Sequence, residues 1–123
     1  MIMTKSKYYY ELDRNGSITP ILKDTANKRK GMPVYSGVLN YFPDAIREVA
    51  ICSRIGNEQH NAGKPLHWDR SKSGDELDAL TRHLMEAGTM DTDGVRHSTK
   101  VAWRALANLQ KEIERARDYN KIY

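Results

Sequence analysis

Asp75 and Asp78 stand three residues apart in the stretch GDELDALTRHL, with Arg82 and His83 close behind. On a helix that spacing puts both carboxylates on one face. Acids so placed either complement the positive end of the helix or, with a carboxylate from a facing helix, hold a divalent ion. Glu48, in PDAIREVAICSRIG, is the acid that can face them. A second group follows in DTDGVRH, where Asp91, Asp93 and His97 lie close together. Its Asp-Gly pair reads as a turn, and it lacks the third acid and trailing glutamate of a calcium loop. Glu48, Asp75, Asp78 and Asp91 are the candidate ligands for Mg2+ or Mn2+, ions that leave much of their shell to water and phosphate. Glu48, His83 and His97 are the candidate catalytic groups, an imidazole serving as general base or as an orienting partner.

The loop HNAGKPLHWDRSK adds cations and an aromatic ring. Lys64, Arg70 and Lys72 suit phosphate, and Trp68 either stacks on a base or anchors a surface loop, the commoner role of a lone tryptophan. His60, His67, His83 and His97 lack the spacing of a zinc signature, and there is no cysteine cluster to join them. The sequence has no H-E-x-x-H, no phosphate-binding G-x-x-x-x-G-K-[ST] and no G-x-G-x-x-G. Cys52 sits in an apolar stretch and reads as a small buried residue.

Three helices must position these groups. The first follows Pro43, with Ile46, Val49, Ala50 and Ser53 on one face, and Gly56 is its expected stop. Residues 57–74 form a loop too long for a mere connection. Ser73 and Glu76 fit a capping box that opens the second helix, whose stripe is Leu77, Leu80 and Leu84 and whose end is Gly88. If the first two helices pack antiparallel, Glu48 faces Asp78 and His83, with Trp68 and Lys64 as a lid. The third helix covers residues 98–119, repeating Ala102, Ala105/Leu106, Leu109 and Ile113. Residues 1–31 are polar and turn-rich; YYYEL and the Asn15-Gly16 pair predict a short hairpin, and Lys28–Lys30 a solvated basic linker. The expected fold is mainly α: a three-helix core over 32–123, with a small irregular or β-containing appendage over 1–31.

Composition sets limits. With 123 residues, 39% hydrophobic and 29% charged, the chain can bury one modest core. Val101, Trp103 and Leu106 lie beyond a single stripe of the third helix, which predicts a homo-oligomer. No apolar run of about 18 residues is present, so no membrane span is expected. The N-terminus lacks the apolar centre of a signal peptide and there is one cysteine, so the expected location is a reducing cytoplasm. The net charge of +4 is uneven: residues 43–98 carry seven Lys/Arg against ten Asp/Glu. Acids gathered with histidines suit a metal ion better than a phosphate backbone.

The segments PDAIREVAICSRIGNEQHN, Trp68, Arg82-His83 and DTDGVRHSTKVAWRALANLQ, in that order, resemble a small phage family of dATP/dGTP diphosphohydrolase N-terminal domains. The positions that carry the resemblance are Glu48, Gly56, His60-Asn61, Trp68, Arg82-His83 and Asp91 with His97. The family's description is similar to that of MazG-type enzymes, all-α proteins that use Mg2+ to cut a (d)NTP into (d)NMP and pyrophosphate. The resemblance implies a metal-dependent pyrophosphohydrolase acting on purine deoxynucleotides in the host cytoplasm. His60, Asn61, Lys64, Trp68, Arg70, Lys72 and Arg82 would then contact the substrate. MazG-type enzymes carry E-x-x-E on one helix and E-x-x-D on another. Here Ala45 and Ile51 flank Glu48, and Asp75-x-x-Asp78 replaces E-x-x-D. That shorter acid set keeps open a protein that binds or sequesters a nucleotide without turnover. Two other readings stay open: a histidine/aspartate metal hydrolase built on His60, His83, Asp91 and His97, and a basic nucleic-acid accessory protein.

Overall fold

The computed structural model describes the chain except residues 1–9, 13–17, 21–25, 73 and 123. The chain divides into two compact units, residues 1–41 and 42–123.

In the first unit, β1 (Tyr10–Leu12) pairs antiparallel with β2 (Ile18–Pro20), Tyr10 opposite Pro20 and Leu12 opposite Ile18. The strands lie where a hairpin was expected; the Asn15-Gly16 turn falls outside the described residues. The basic run expected as a linker belongs to a five-residue helix, α1 (Ala26–Lys30). A π-helical turn over Tyr35–Leu39 follows, closed by Asn40 N–H donating to the Tyr35 carbonyl at 2.8 Å.

The second unit contains α2 (Pro43–His60), α3 (Glu76–Leu84) and α4 (His97–Ile122). Pro43 opens α2 because its fixed φ suits the first helical position and its missing N–H has no partner to lose there. The helix runs through Gly56 rather than stopping at it. A helical glycine costs only about 1 kcal/mol, too little to end a helix whose ladder continues to Asn61 N–H on the Asn57 carbonyl at 2.7 Å. The chain turns instead at Gly63, whose φ of +77° is open to glycine and costly for other residues.

Asp75 occupies the N-cap position of α3 without a side-chain cap bond. Ser73, expected as the cap, lies outside the described residues. Glu76 is buried at 5% exposure, and its carboxylate takes Arg104 at 3.4 Å and Lys111 at 3.1 Å, both from α4. Small residues accompany that ion-pair junction: Ala79, Ala107 and Val95 are the buried hydrophobic residues among those described.

Helix α4 is the spine. Both α3 and α2 pack against it, and they hardly touch one another. The expected antiparallel packing of the first two helices is therefore replaced by a gap over α4. Trp68, from the loop, and Trp103, from α4, meet edge-on in this region with centroids 5.8 Å apart. Trp103 Nε1 donates to Ser53 Oγ on α2 at 2.7 Å. The fold is mainly α with three main helices, and no described helix is long and apolar enough to cross a membrane.

Candidate functional site

The gap is a cleft of about 870 Å³. Cys52, Ser53, Gly56 and His60 line it from α2, His83 from α3, and Lys100, Trp103 and Arg104 from α4. The loop contributes His67 and Trp68. Asn57 fastens that loop: its Nδ2 donates to the Lys64 carbonyl at 3.0 Å, and its Oδ1 accepts from His67 N–H at 3.3 Å. The Arg70 guanidinium lies 4.2 Å from the centre of the Trp68 ring, and its Nε reaches Glu114 at 2.9 Å. One tryptophan is thus pinned between a cation and a second tryptophan, as a built wall requires.

Between α3 and α4 the segment 89–97 folds into a tight turn. Asp91 N–H donates to the Val95 carbonyl at 2.8 Å, Gly94 N–H to the Asp91 carbonyl at 3.0 Å, and His97 N–H to the Thr89 carbonyl at 3.1 Å. Gly94 takes a φ of +80°, as the turn demands, and Val95 plugs it from inside at 4% exposure. This turn brings His97 against His83, with their Nδ1 atoms 2.9 Å apart. Asp91 joins them: one donor atom from each of the three residues lies within 4.8 Å of the others, a group able to hold a metal ion.

Lys100, one turn into α4, reaches back to Asp91 Oδ2 at 2.6 Å and to Asp93 Oδ2 at 2.7 Å. The hydrogen bond from Lys100 and one from the Thr92 backbone hold the Asp91 carboxyl down at about 2. The Lys100 bond also lowers Asp93. Burial pulls Lys100 down, but its two aspartate bonds together outweigh burial and raise it. Burial lowers the His83 imidazole, and the Lys100 charge and His97 add to the effect, which favours the neutral ring. Burial also raises the Cys52 thiol, in keeping with an inert half-buried residue.

Of the residues expected from sequence, His60, Asn61, Trp68, Lys72, Asp75 and His83 line the cleft. His97 meets His83, and Asp91 has a donor atom within 4.8 Å of theirs. Arg70 acts on the cleft through Trp68. Arg82 pairs with Asp75 at 3.1 Å, which lowers the Asp75 carboxyl. Asp75 and Asp78 both border a smaller hollow of about 260 Å³ that includes Lys111 and Arg115. Lys64 is exposed and borders neither space. Glu48 is exposed on α2, one turn before Cys52, and also borders neither.

Asn57, Asp93, Lys100, Trp103 and Arg104 belong to the site and were not among the site residues expected from the sequence. Asp93 carried a signal, as part of DTDG. Lys100 had a weaker one, since it follows the two aspartates at a distance a helical lysine can span. Asn57 was placed in a loop, where its position on the last turn of a helix could not be seen.

The fold and site define an all-α domain with one large cleft among the described residues, at whose side stand two histidines and an aspartate able to bind a metal. The chain belongs to the dATP/dGTP diphosphohydrolase N-terminal domain family, whose pattern matches residues 23–120. No curated protein and no solved structure gives a significant match.

Proposed function

We propose that this chain is a metal-dependent domain that binds purine deoxynucleoside triphosphates and hydrolyses them to the monophosphate and pyrophosphate. The observation that carries the reading is one cleft with a tryptophan pair along it and the His83–Asp91–His97 group beside it, in a chain of this family. Trp68 and Trp103 offer aromatic surface to a base. Lys72, His60 and His67 are exposed and can turn to phosphate. A neutral His83 ring has a lone pair free to bind the ion.

Charge supports a metal requirement. Asp69, Asp75 and Asp93 in the cleft balance Lys72, Lys100 and Arg104. A triphosphate entering it meets no net positive charge, so the counter-charge has to arrive with an ion. The resemblance implies Mg2+ or Mn2+; two imidazoles and one carboxylate suit Mn2+ better, because Mg2+ prefers oxygen donors. A bound ion would supply Lewis-acid charge to the phosphate oxygens. Glu48, Asp75 and Asp78 stay candidate acids outside that group.

The test is a panel of deoxynucleoside triphosphates incubated with Mn2+ or Mg2+, with the products separated. Release of pyrophosphate from dATP or dGTP, abolished by a chelator and by His83→Ala, is expected. No release from any nucleotide with either ion would sink the enzymatic reading. One observation favours a second reading, binding without turnover: Lys100 already ties up Asp91 and Asp93. Stoichiometric nucleotide binding with no product would select it. Both readings include self-association, supported by the leucines that α3 and α4 leave exposed.

A further inference from the structure

We propose that His83, Asp91 and His97 form a binding site for a late first-row divalent cation, Co2+ or Zn2+, which they hold more tightly than Mn2+ and far more tightly than Mg2+. The inference concerns the metal alone and stands whether or not the chain turns over nucleotide.

The donor spacing fits. Two donors at about 2.1 Å from one ion lie about 3.4 Å apart in a tetrahedron and about 3.0 Å apart when adjacent in an octahedron. The two Nδ1 atoms are 2.9 Å apart, and all three donors fall within 4.8 Å. Small side-chain rotations close the remaining distance. The surroundings are also those of a metal site. His97 is 6% exposed, and its other ring nitrogen faces Glu86 Oε2 at 3.7 Å, the kind of outer partner that orients a ligating imidazole. The Thr92 backbone N–H holds the other Asp91 oxygen at 2.7 Å.

The donors come from the end of α3, the following turn and the first residue of α4. An ion there would cross-link three segments, so metal binding and folding are coupled. Two imidazole nitrogens set the preference, since nitrogen donors favour the later first-row ions and oxygen donors favour Mg2+. Lys100, 2.6 Å from Asp91 Oδ2, places a positive charge beside the ion and weakens the site.

The experiment is a Co2+ titration of the chelator-stripped full chain without nucleotide, followed by visible absorption. One equivalent should bind with a ligand-field spectrum, be displaced by Zn2+, and persist in millimolar Mg2+. His83→Gln and His97→Gln should each weaken binding more than about 100-fold, beyond the loss for an outer-shell partner. Circular dichroism checks the fold of each variant, and His83, half-exposed on α3, is the safer of the two. Lys100→Met should tighten binding. An unchanged Co2+ affinity in His83→Gln, or equal displacement by Mg2+, would overturn the proposal and leave the two histidines as a hydrogen-bonded pair. Failure of nucleotide hydrolysis would not bear on it.

Discussion

Lys100 bonds two aspartates from a side chain that is 18% exposed, and the aspartates are nearly as sheltered, at 23% and 17%. Hydrogen bonds to charged groups in such settings contribute about 2 kcal/mol. Lys100→Met should therefore lower stability by about that amount at neutral pH, measured by urea unfolding in the presence of chelator. The pH dependence has a definite sign. The folded Asp91 carboxyl is held at about 2, below its ordinary range. Its contribution is complete above the ordinary carboxylate range and is lost as pH falls toward 2. Wild-type stability should decline more steeply than that of Lys100→Met across this acid window. Parallel declines in the two proteins would show that the lysine does not set the Asp91 titration.

At the scale of elements, the junction of α3 with α4 rests on Glu76, whose 5% exposed carboxylate faces Arg104 and Lys111. Removing one member of a buried charged set costs about 3–5 kcal/mol. Glu76→Ala should fall in that range and should speed amide exchange in α3 before α4. Loss of less than about 1 kcal/mol would mean that solvent replaces the carboxylate readily. Helix existence was legible in the sequence because apolar spacing is local: α4 was expected over 98–119 and spans His97–Ile122. His83, Asp91 and His97 were legible as chemistry-bearing residues. The reading of a metal site on His60, His83, Asp91 and His97 supposed that they converge; the 89–97 turn brings three of them, His83, Asp91 and His97, together. Asp75 shows a related limit. It lies outside the helix with φ −119°, so the rule placing it on one helical face with Asp78 does not govern where its carboxylate points. Glu76 fitted a capping box by spacing, yet its burial against α4 is a tertiary fact that no local pattern contains.

For the whole molecule, the balance of buried and exposed apolar groups argues for self-association. The second unit buries Ala79, Val95 and Ala107 while Leu77, Leu84, Leu106 and Leu109 stand 61%, 54%, 50% and 51% exposed. Exposed leucines on two helices that pack together offer apolar surface for a second copy of the chain. Sedimentation should show a dimer or larger species at micromolar concentration, and Leu109→Glu should shift it toward monomer. A wild-type chain that stays monomeric would remove the argument. The tryptophan pair has a practical consequence. The chain has two tryptophans, and both stand in the wall of the same cleft, 5.8 Å apart and nearly perpendicular. Its tryptophan emission, excited at the red edge where tyrosine does not absorb, is therefore a single-locus signal. A purine nucleotide that enters the cleft should quench it in a saturable way. Excitonic coupling between the two indoles should give a near-ultraviolet dichroism that Trp68→Phe abolishes, so one unlabelled sample reports both occupancy and the integrity of the wall.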